Sequence, residues 1–219
     1  ALRSFDMRMA RDVITRMQSS TRVARTETDI RSLREAFVSV MAEYEQAALT
    51  PGLSGIPFGR SHIDFATNGL MSGDLVSIVA RPGMGKTYLL LKMAEAAASL
   101  GFSVLVVSME LTIEQMVRRY SALSCGINPE YLRRGTLSVY AERRLRDHMD
   151  QLAYIDNVHF LSGGFNKTPD DVDLLVQEYN PDIVYIDGAY LMKPAQRRPN
   201  ASRIEVVAEV FDSLKQMTL

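Results

Sequence analysis

The sequence has little of what would assign it at once to a secreted or membrane class. Cys125 is the only cysteine among 219 residues, so no internal disulfide can form. There is no run of about 18 apolar residues that could span a bilayer. The opening stretch "ALRSFDMRMARD" is charged where a secretory signal is apolar. These absences favour a cytoplasmic protein without a membrane partner.

An excess of charge of one sign is also missing. Lys and Arg number 25 against 26 Asp and Glu, which gives a formal net charge of -1 at pH 7. Binding to nucleic acid would therefore have to come from local loops or from an assembled ring. The length and the 47% hydrophobic content suit one α/β domain with an appendage.

Two amphipathic segments come first in the chain. Residues 1–17 place apolar side chains every three or four positions, the period of a helix. Residues 29–48 do the same until Thr50, Pro51 and Gly52 end the pattern. We therefore predict a helical N-terminal segment and linker helix over residues 1–50, followed by a domain over residues 51–219.

From Leu75 onward, short apolar runs alternate with helical patterns. The runs are "LVSIVA", "VLVVS", "VHFL" and "DIVYID", and helices are predicted over residues 87–100 and 112–124. Strands that are apolar on both faces and separated by helices are typical of a parallel sheet with crossover connections. The predicted fold class is therefore α/β, with a mostly parallel sheet flanked by helices.

The stretch "IVARPGMGKTYLLLKM" places a glycine-rich turn between a predicted strand and a predicted helix. Ala80, Gly85, Lys86 and Thr87 match the phosphate-loop spacing, with Ala80 where the usual pattern has glycine. Gly83 and Gly85 permit backbone geometry in which successive N–H groups surround a phosphate. In such a loop the lysine contacts the β- and γ-phosphates of ATP or another NTP, and the threonine ligates Mg²⁺. The candidate nucleotide-binding residues are Ala80, Arg81, Pro82, Gly83, Met84, Gly85, Lys86, Thr87 and Tyr88. A glycine-rich turn with a surface lysine is the alternative.

Two carboxylates follow predicted strands. Asp187 ends "DIVYID", where it could hold Mg²⁺ beside the phosphate loop or could simply cap a turn. Glu110 follows "VLVVS" at the same end of the sheet. It could accept a proton from an attacking water, or it could favour a helix that starts near Thr112 through the helix dipole. The spacing alone leaves both pairs of alternatives open.

The loop "KPAQRRPNASR" after the last predicted strand is basic. Its candidate contacts to single-stranded DNA are Lys193, Arg197, Arg198 and Arg203. A solvated charged loop is the alternative, because arginine pairs recur on the predicted helices.

The order and spelling of these motifs resemble DnaB-type replicative helicases. The likeness covers residues 29–219 and is carried by "GIPFGRSHIDFATNGLMSGDLVSIVARPGMGKT", "VVSMELTIEQMVRR", "YLRRGTLSVYAERRLRDHMDQL" and "IVYIDGAYLM". The resemblance implies a RecA-like motor domain that forms a hexameric ring, hydrolyses NTP at subunit boundaries and moves along single-stranded DNA. It also implies a primase and a helicase loader as partners.

The resemblance further implies a role for each motif residue. Lys86 and Thr87 would contact the phosphates and magnesium, Glu110 would be the catalytic base, and Asp187 would be the magnesium carboxylate. The helix over residues 29–48 would be the linker that packs on a neighbouring subunit.

The chain departs from the family pattern at several points. Tyr190 stands where the family has a glutamine thought to sense the γ-phosphate, and Asp212 stands where an arginine is usual. The family's second DNA loop and arginine finger would follow Leu219, so we expect the C-terminal part of the domain to be missing. The spelling "DGAY" favours a divergent, phage-borne member that acts in the cytoplasm of a bacterial host. The alternatives are a RecA- or KaiC-like ATPase for recombination or regulation, and a nucleotide-binding oligomerisation module without catalysis.

Overall fold

The computed structural model describes residues 32–49, 53–152, 157–162, 164–194 and 201–218. The chain divides into two compact units, residues 1–51 and residues 52–219. In the first unit, helix α1 spans Leu33–Leu49. Glu35 Oε2 accepts hydrogen bonds from the backbone N–H and the hydroxyl of Ser32, which stabilises the start of this helix. The helix predicted over residues 1–17 and the predicted start at residue 29 lie outside the described residues.

The second unit alternates helices and strands. In chain order its elements are α2 (Ser61–Thr67), α3 (Lys86–Ser99), β1 (Val104–Ser108), α4 (Ile113–Ser124), α5 (Pro129–Arg134), α6 (Val139–Leu152), β2 (Val158–Ser162), α7 (Pro169–Tyr179), β3 (Ile183–Asp187) and α8 (Arg203–Met217), with 3₁₀ turns at Gly164–Asn166 and Ala189–Leu191. None of the helices in this part or in α1 has both the length and the apolar composition for a membrane span.

The strands of the described chain form one parallel sheet in the order β2-β1-β3. Ser108 at the end of β1 is in register with Ser162 at the end of β2 and with Asp187 at the end of β3. The carboxyl ends of the strands therefore meet at one edge of the sheet, which is where ligands bind in open α/β folds. The predicted α/β class with a parallel sheet is confirmed.

Strand β1 forms the centre of the core, and all five of its residues are buried. Its side chains alternate between two apolar clusters, because successive residues of a strand point to opposite faces. Val104 and Val106 lie in the cluster with helices α3 and α4. Leu105 and Val107 lie in the cluster with helices α7 and α8. Helices thus cover both faces of the sheet, as a continuously apolar strand requires.

The strand predicted over residues 75–80 is wrong for the described structure. This segment forms no strand, and Val79 in its middle is 92% exposed. Apolar composition favours burial, but a strand also needs a neighbour that pairs with its N–H and C=O groups. Among the described strands, β3 pairs with β1 alone, and no strand pairs with residues 75–80. The phosphate loop is therefore held by helix α3 rather than by a strand on both sides.

Candidate nucleotide-binding site

The glycine-rich loop has the backbone conformation that its sequence predicts. Gly83 and Gly85 have φ values of 78° and 84°, in the left-handed region that a side chain disfavours. Gly85 is the residue before helix α3, so the loop ends at a helix N-terminus. A Cβ at either glycine would meet nothing within 4 Å, so there is open space in front of the loop. Residues 80–85, which include Ala80, Arg81, Pro82 and Met84, are not buried.

Lys86 lies back across this loop. Its Nζ donates to the carbonyl oxygen of Ala80 at 2.9 Å and approaches that of Arg81 at 3.4 Å. Both partners are neutral carbonyls, which hold an ammonium group less strongly than an anion does. The lysine is thus placed at the mouth of the loop with its charge uncompensated by these contacts.

Thr87 and Asp187 meet although 100 positions separate them in the chain. The Thr87 hydroxyl donates to Asp187 Oδ2 at 3.0 Å, and the Ser108 hydroxyl donates to the same oxygen at 3.5 Å. Asp187 is only 6% exposed. Burial raises the pKa of its carboxyl, and the charge of Glu110 raises it further, while the hydrogen bonds from the two hydroxyls and the charge of Arg119 act in the opposite direction.

The pair of Thr87 and Asp187 fits the donor set of a magnesium ion. Mg²⁺ prefers oxygen ligands, and neighbouring ligands of an octahedral ion at about 2.0–2.1 Å lie about 2.9 Å from each other. The hydroxyl and carboxylate oxygens of this pair are 3.0 Å apart. A cation beside these oxygens would also favour the charged form of the carboxyl, whose pKa burial raises.

Glu110 does not cap helix α4, which was the alternative to a chemical role. That function belongs to Thr112 and Gln115, which form a capping box in which each side chain accepts from the other's backbone N–H. The backbone of Glu110 donates to the Ser108 hydroxyl at 3.2 Å, and its side chain is exposed. Its carboxylate oxygen Oε1 accepts a hydrogen bond of 2.5 Å from the hydroxyl of Tyr190.

A left-handed turn after β3 makes this approach possible. Gly188 has a φ of 81° and starts the 3₁₀ turn that carries Tyr190. A Cβ at Gly188 would lie 3.3 Å from Glu110 Cγ and 3.3 Å from Met109 Cβ. The ends of β1 and β3 can therefore come this close only where the intervening residue lacks a side chain.

Arg119 belongs to the site but was not singled out from the sequence. Its guanidinium lies 5.3 Å from the centre of the Tyr88 ring, in a cation–π contact, and its charge lowers the pKa of Asp187. The available signal was its position on helix α4, three residues after the buried Met116, which turns it toward the interior. A cavity of about 360 Å³ opens beside it, lined by Tyr88, Gln115, Arg118, Arg119, Pro129, Glu130 and Arg133.

The described candidates for DNA contact flank the segment that follows β3. Lys193 donates from Nζ to Asn166 Oδ1 at 2.6 Å, and from its backbone N–H to the carbonyl of Lys167 at 2.9 Å. Arg203 is exposed at the first position of α8, and its charge influences the pKa of Tyr190. Arg197 and Arg198 lie outside the described residues.

Comparison with known proteins agrees with this geometry. The family model "DnaB-like helicase C terminal domain" matches residues 55–219. The chain is 34% identical over 115 residues to the replicative DNA helicase DnaB of Nostoc sp., covering 52% of this chain and 13% of that protein. It is 28% identical over 192 residues to the replicative DNA helicase DnaC of Bacillus subtilis, covering 85% of this chain and 42% of that protein.

A solved structure also matches. The structure of an isolated ATPase domain aligns with a TM-score of 0.76 and 26% identity, over 87% of this chain and 68% of that one. The chain spans less than half the length of the two curated helicases named above. The phage origin stays a prediction. The fold is RecA-like, as expected, and the chain belongs to the DnaB-like helicase C-terminal domain family.

Proposed function

We propose that this chain is the ATP-hydrolysing motor of a replicative DNA helicase that forms a hexameric ring and translocates on single-stranded DNA. The observation that carries the proposal is the hydrogen bond between Thr87 and Asp187, with Glu110 on the adjacent strand end. The loop, the acidic strand end and an exposed carboxylate thus share one edge of the sheet. The family membership and the names of the curated relatives support the helicase function. A primase and a helicase loader are its expected partners.

Lys86 and the loop backbone would bind the triphosphate. An incoming phosphate would offer the ammonium group a charge-assisted hydrogen bond in place of the carbonyls of Ala80 and Arg81. The N–H groups at the start of helix α3 would face the same phosphate, because a helix N-terminus favours anions.

Thr87 and Asp187 would hold Mg²⁺ on the phosphates. The ion, when bound, neutralises charge on the β- and γ-phosphate oxygens. The two residues orient their oxygens from different elements, helix α3 and strand β3. Ser108 supports Asp187 from the neighbouring strand with its hydroxyl.

Glu110 would act as the general base. Its exposed carboxylate would accept a proton from the water that attacks the γ-phosphorus, while the bond from that phosphorus to the β-phosphate oxygen breaks. General-base catalysis contributes about 10²- to 10⁴-fold to a rate. Lys193 and Arg203 flank the segment after β3, so contact with DNA there would lie a few residues from the hydrolysis site.

The test is steady-state ATP hydrolysis with and without single-stranded DNA. Lys86→Ala is expected to abolish turnover, and Glu110→Gln is expected to bind nucleotide while losing at least about 100-fold in turnover. Lys92→Ala, on the same helix, and Glu142→Gln serve as matched controls, since both residues form surface ion pairs.

The outcomes separate the candidate functions. Stimulation by DNA together with strand displacement supports a helicase motor. Hydrolysis without strand displacement favours a RecA- or KaiC-like ATPase, and nucleotide binding without hydrolysis favours an assembly module. Normal turnover in Glu110→Gln would contradict the assignment of the base.

A further inference from the structure

We propose that Tyr190 is a positioning residue that holds the carboxylate of Glu110 in the orientation from which it takes a proton from water. The inference rests on the proposed function, because it presupposes Glu110 as the base. It adds a residue that the resemblance does not account for, since Tyr190 stands at a position where the family has another residue type.

The hydrogen bond itself is the first argument. The Tyr190 hydroxyl donates to Glu110 Oε1 at 2.5 Å, the short distance typical of a hydroxyl bound to a carboxylate. An exposed glutamate otherwise samples several rotamers, and ordering it reduces that freedom. Among the described residues Oε2 has no recorded hydrogen bond, so the bond to Oε1 orients the carboxylate and leaves its second oxygen for water.

Both ends of this bond are mounted on anchored backbone. On the β1 side, the N–H of Met109 donates to the carbonyl of Asp187 at 2.9 Å. On the β3 side, the 3₁₀ turn closes through the N–H of Leu191 on the carbonyl of Gly188 at 2.8 Å, and Met192 is buried directly after it. The distance between Tyr190 and Glu110 is therefore set by the pairing of β1 with β3.

The role of the ring in packing is small. Tyr190 is 44% exposed, so its side chain contributes little to the core. Replacing it with phenylalanine removes the hydroxyl and keeps the ring. A change in catalysis in that variant would therefore report on the hydrogen bond.

The surrounding charges keep the phenol a donor. The hydrogen bond to Glu110 is the main cause that raises the pKa of Tyr190, followed by partial burial and by the charges of Glu110 and Asp187, with Arg203 acting in the opposite direction. The hydroxyl thus stays protonated at neutral pH.

The kinetic test compares Tyr190→Phe with Tyr131→Phe, which makes the same chemical change at an exposed helix position. We expect Tyr190→Phe to lower kcat by about 10- to 100-fold with an unchanged Kd for a fluorescent ATP analogue, since small misplacements of a catalytic group have effects of this size. Tyr131→Phe should match the wild type. In the Glu110→Gln background, Tyr190→Phe should produce no further loss. Wild-type or faster turnover in Tyr190→Phe would overturn the inference.

A second readout needs neither nucleotide nor turnover. The difference between the ultraviolet pH titrations of the wild type and Tyr190→Phe isolates this phenol. In Glu110→Gln the pKa of Tyr190 should fall toward the ordinary value of 10.0, because the charged acceptor is gone. In Glu142→Gln it should not change. An unchanged titration in Glu110→Gln would contradict the hydrogen bond in solution.

The two proposals fail in different ways. Loss of turnover in Lys86→Ala and Glu110→Gln with normal turnover in Tyr190→Phe removes only the positioning role. Full turnover in Glu110→Gln removes the base, and the positioning role with it.

Discussion

Asp187 is a buried carboxylate whose hydrogen bonds come from two neutral hydroxyls, those of Thr87 and Ser108. Burial is the main reason that its pKa is raised in the folded state. The folded protein therefore holds the proton of Asp187 more tightly than the unfolded chain does. Stability should fall as pH rises from the ordinary value of 3.8 through the raised pKa.

Asp187→Asn should accordingly stabilise the metal-free protein at neutral pH. In EDTA at pH 7 we expect the variant to unfold at higher urea concentration than the wild type. The difference should shrink as pH falls toward 3.8, where the carboxyl becomes neutral in the folded state. Asp212→Asn, an exposed position on α8, is the control and should have little effect.

Magnesium and nucleotide should reverse this order. A ligand at 100 times its Kd stabilises the folded state by about 2.7 kcal/mol, and the variant would lose much of that gain. Lower stability of Asp187→Asn in EDTA at pH 7 would contradict the view of this carboxylate as a strained metal ligand.

Residue types and motif order predicted which side chains form the site. Lys86, Thr87, Glu110 and Asp187 all lie at the edge of the sheet where the strand ends meet, as their positions after loops and strands implied. The contact of Arg119 with Tyr88 could not be predicted with the same ease, because an arginine pair on a helix usually faces water.

At the scale of elements, the turn after β3 decides how closely two strand ends approach. Gly188→Ala would place a methyl group 3.3 Å from Glu110 Cγ at a φ of 81°. Gly135→Ala is a matched control, because Gly135 has a φ of 67° with nothing within 4 Å of the added Cβ. Both changes should destabilise the protein by about 1–2 kcal/mol through the left-handed backbone.

ATP turnover should distinguish these two variants. Only Gly188→Ala is expected to displace the side chain of Glu110, so it alone should lose turnover while it retains nucleotide binding. Urea unfolding measures the shared backbone effect, and steady-state hydrolysis measures the difference. Equal turnover in the two variants would mean that the approach of Gly188 to Glu110 does not matter for catalysis.

Helix boundaries were predictable where capping residues mark them. The helix predicted over residues 112–124 is Ile113–Ser124, with Thr112 as its cap, and that predicted over residues 87–100 is Lys86–Ser99. The strand over residues 75–80 was not, because pairing depends on a neighbour that local sequence cannot reveal.

At the scale of the whole molecule, the surface of helix α1 bears on assembly. Its apolar stripe includes Leu33, which is 86% exposed, and Phe37, which is 60% exposed, together with Val40, Met41 and Tyr44. Contiguous exposed apolar surface is typical of an interaction site. We predict that this stripe packs on a neighbouring subunit of the ring.

The charged variant Phe37→Glu/Val40→Glu tests this prediction. Both residues are exposed, so the change should leave the second unit folded and lower the oligomeric mass measured by light scattering. Ser39→Glu, about 200° around the helix from Phe37, should keep the wild-type mass. An unchanged mass in the doubly charged variant would exclude α1 as an assembly element.

The sequence by itself determined the α/β class, the phosphate loop, the acidic strand ends and the family. Each of these depends on residue types at short spacing, such as glycines that allow a left-handed loop or apolar runs that require burial on both faces. The tertiary structure alone decided that Tyr190 binds Glu110, 80 positions away, and that residues 75–80 pair with none of the described strands. The reason is that such contacts depend on how the strands pair and turn, and pairing joins residues that no local pattern relates.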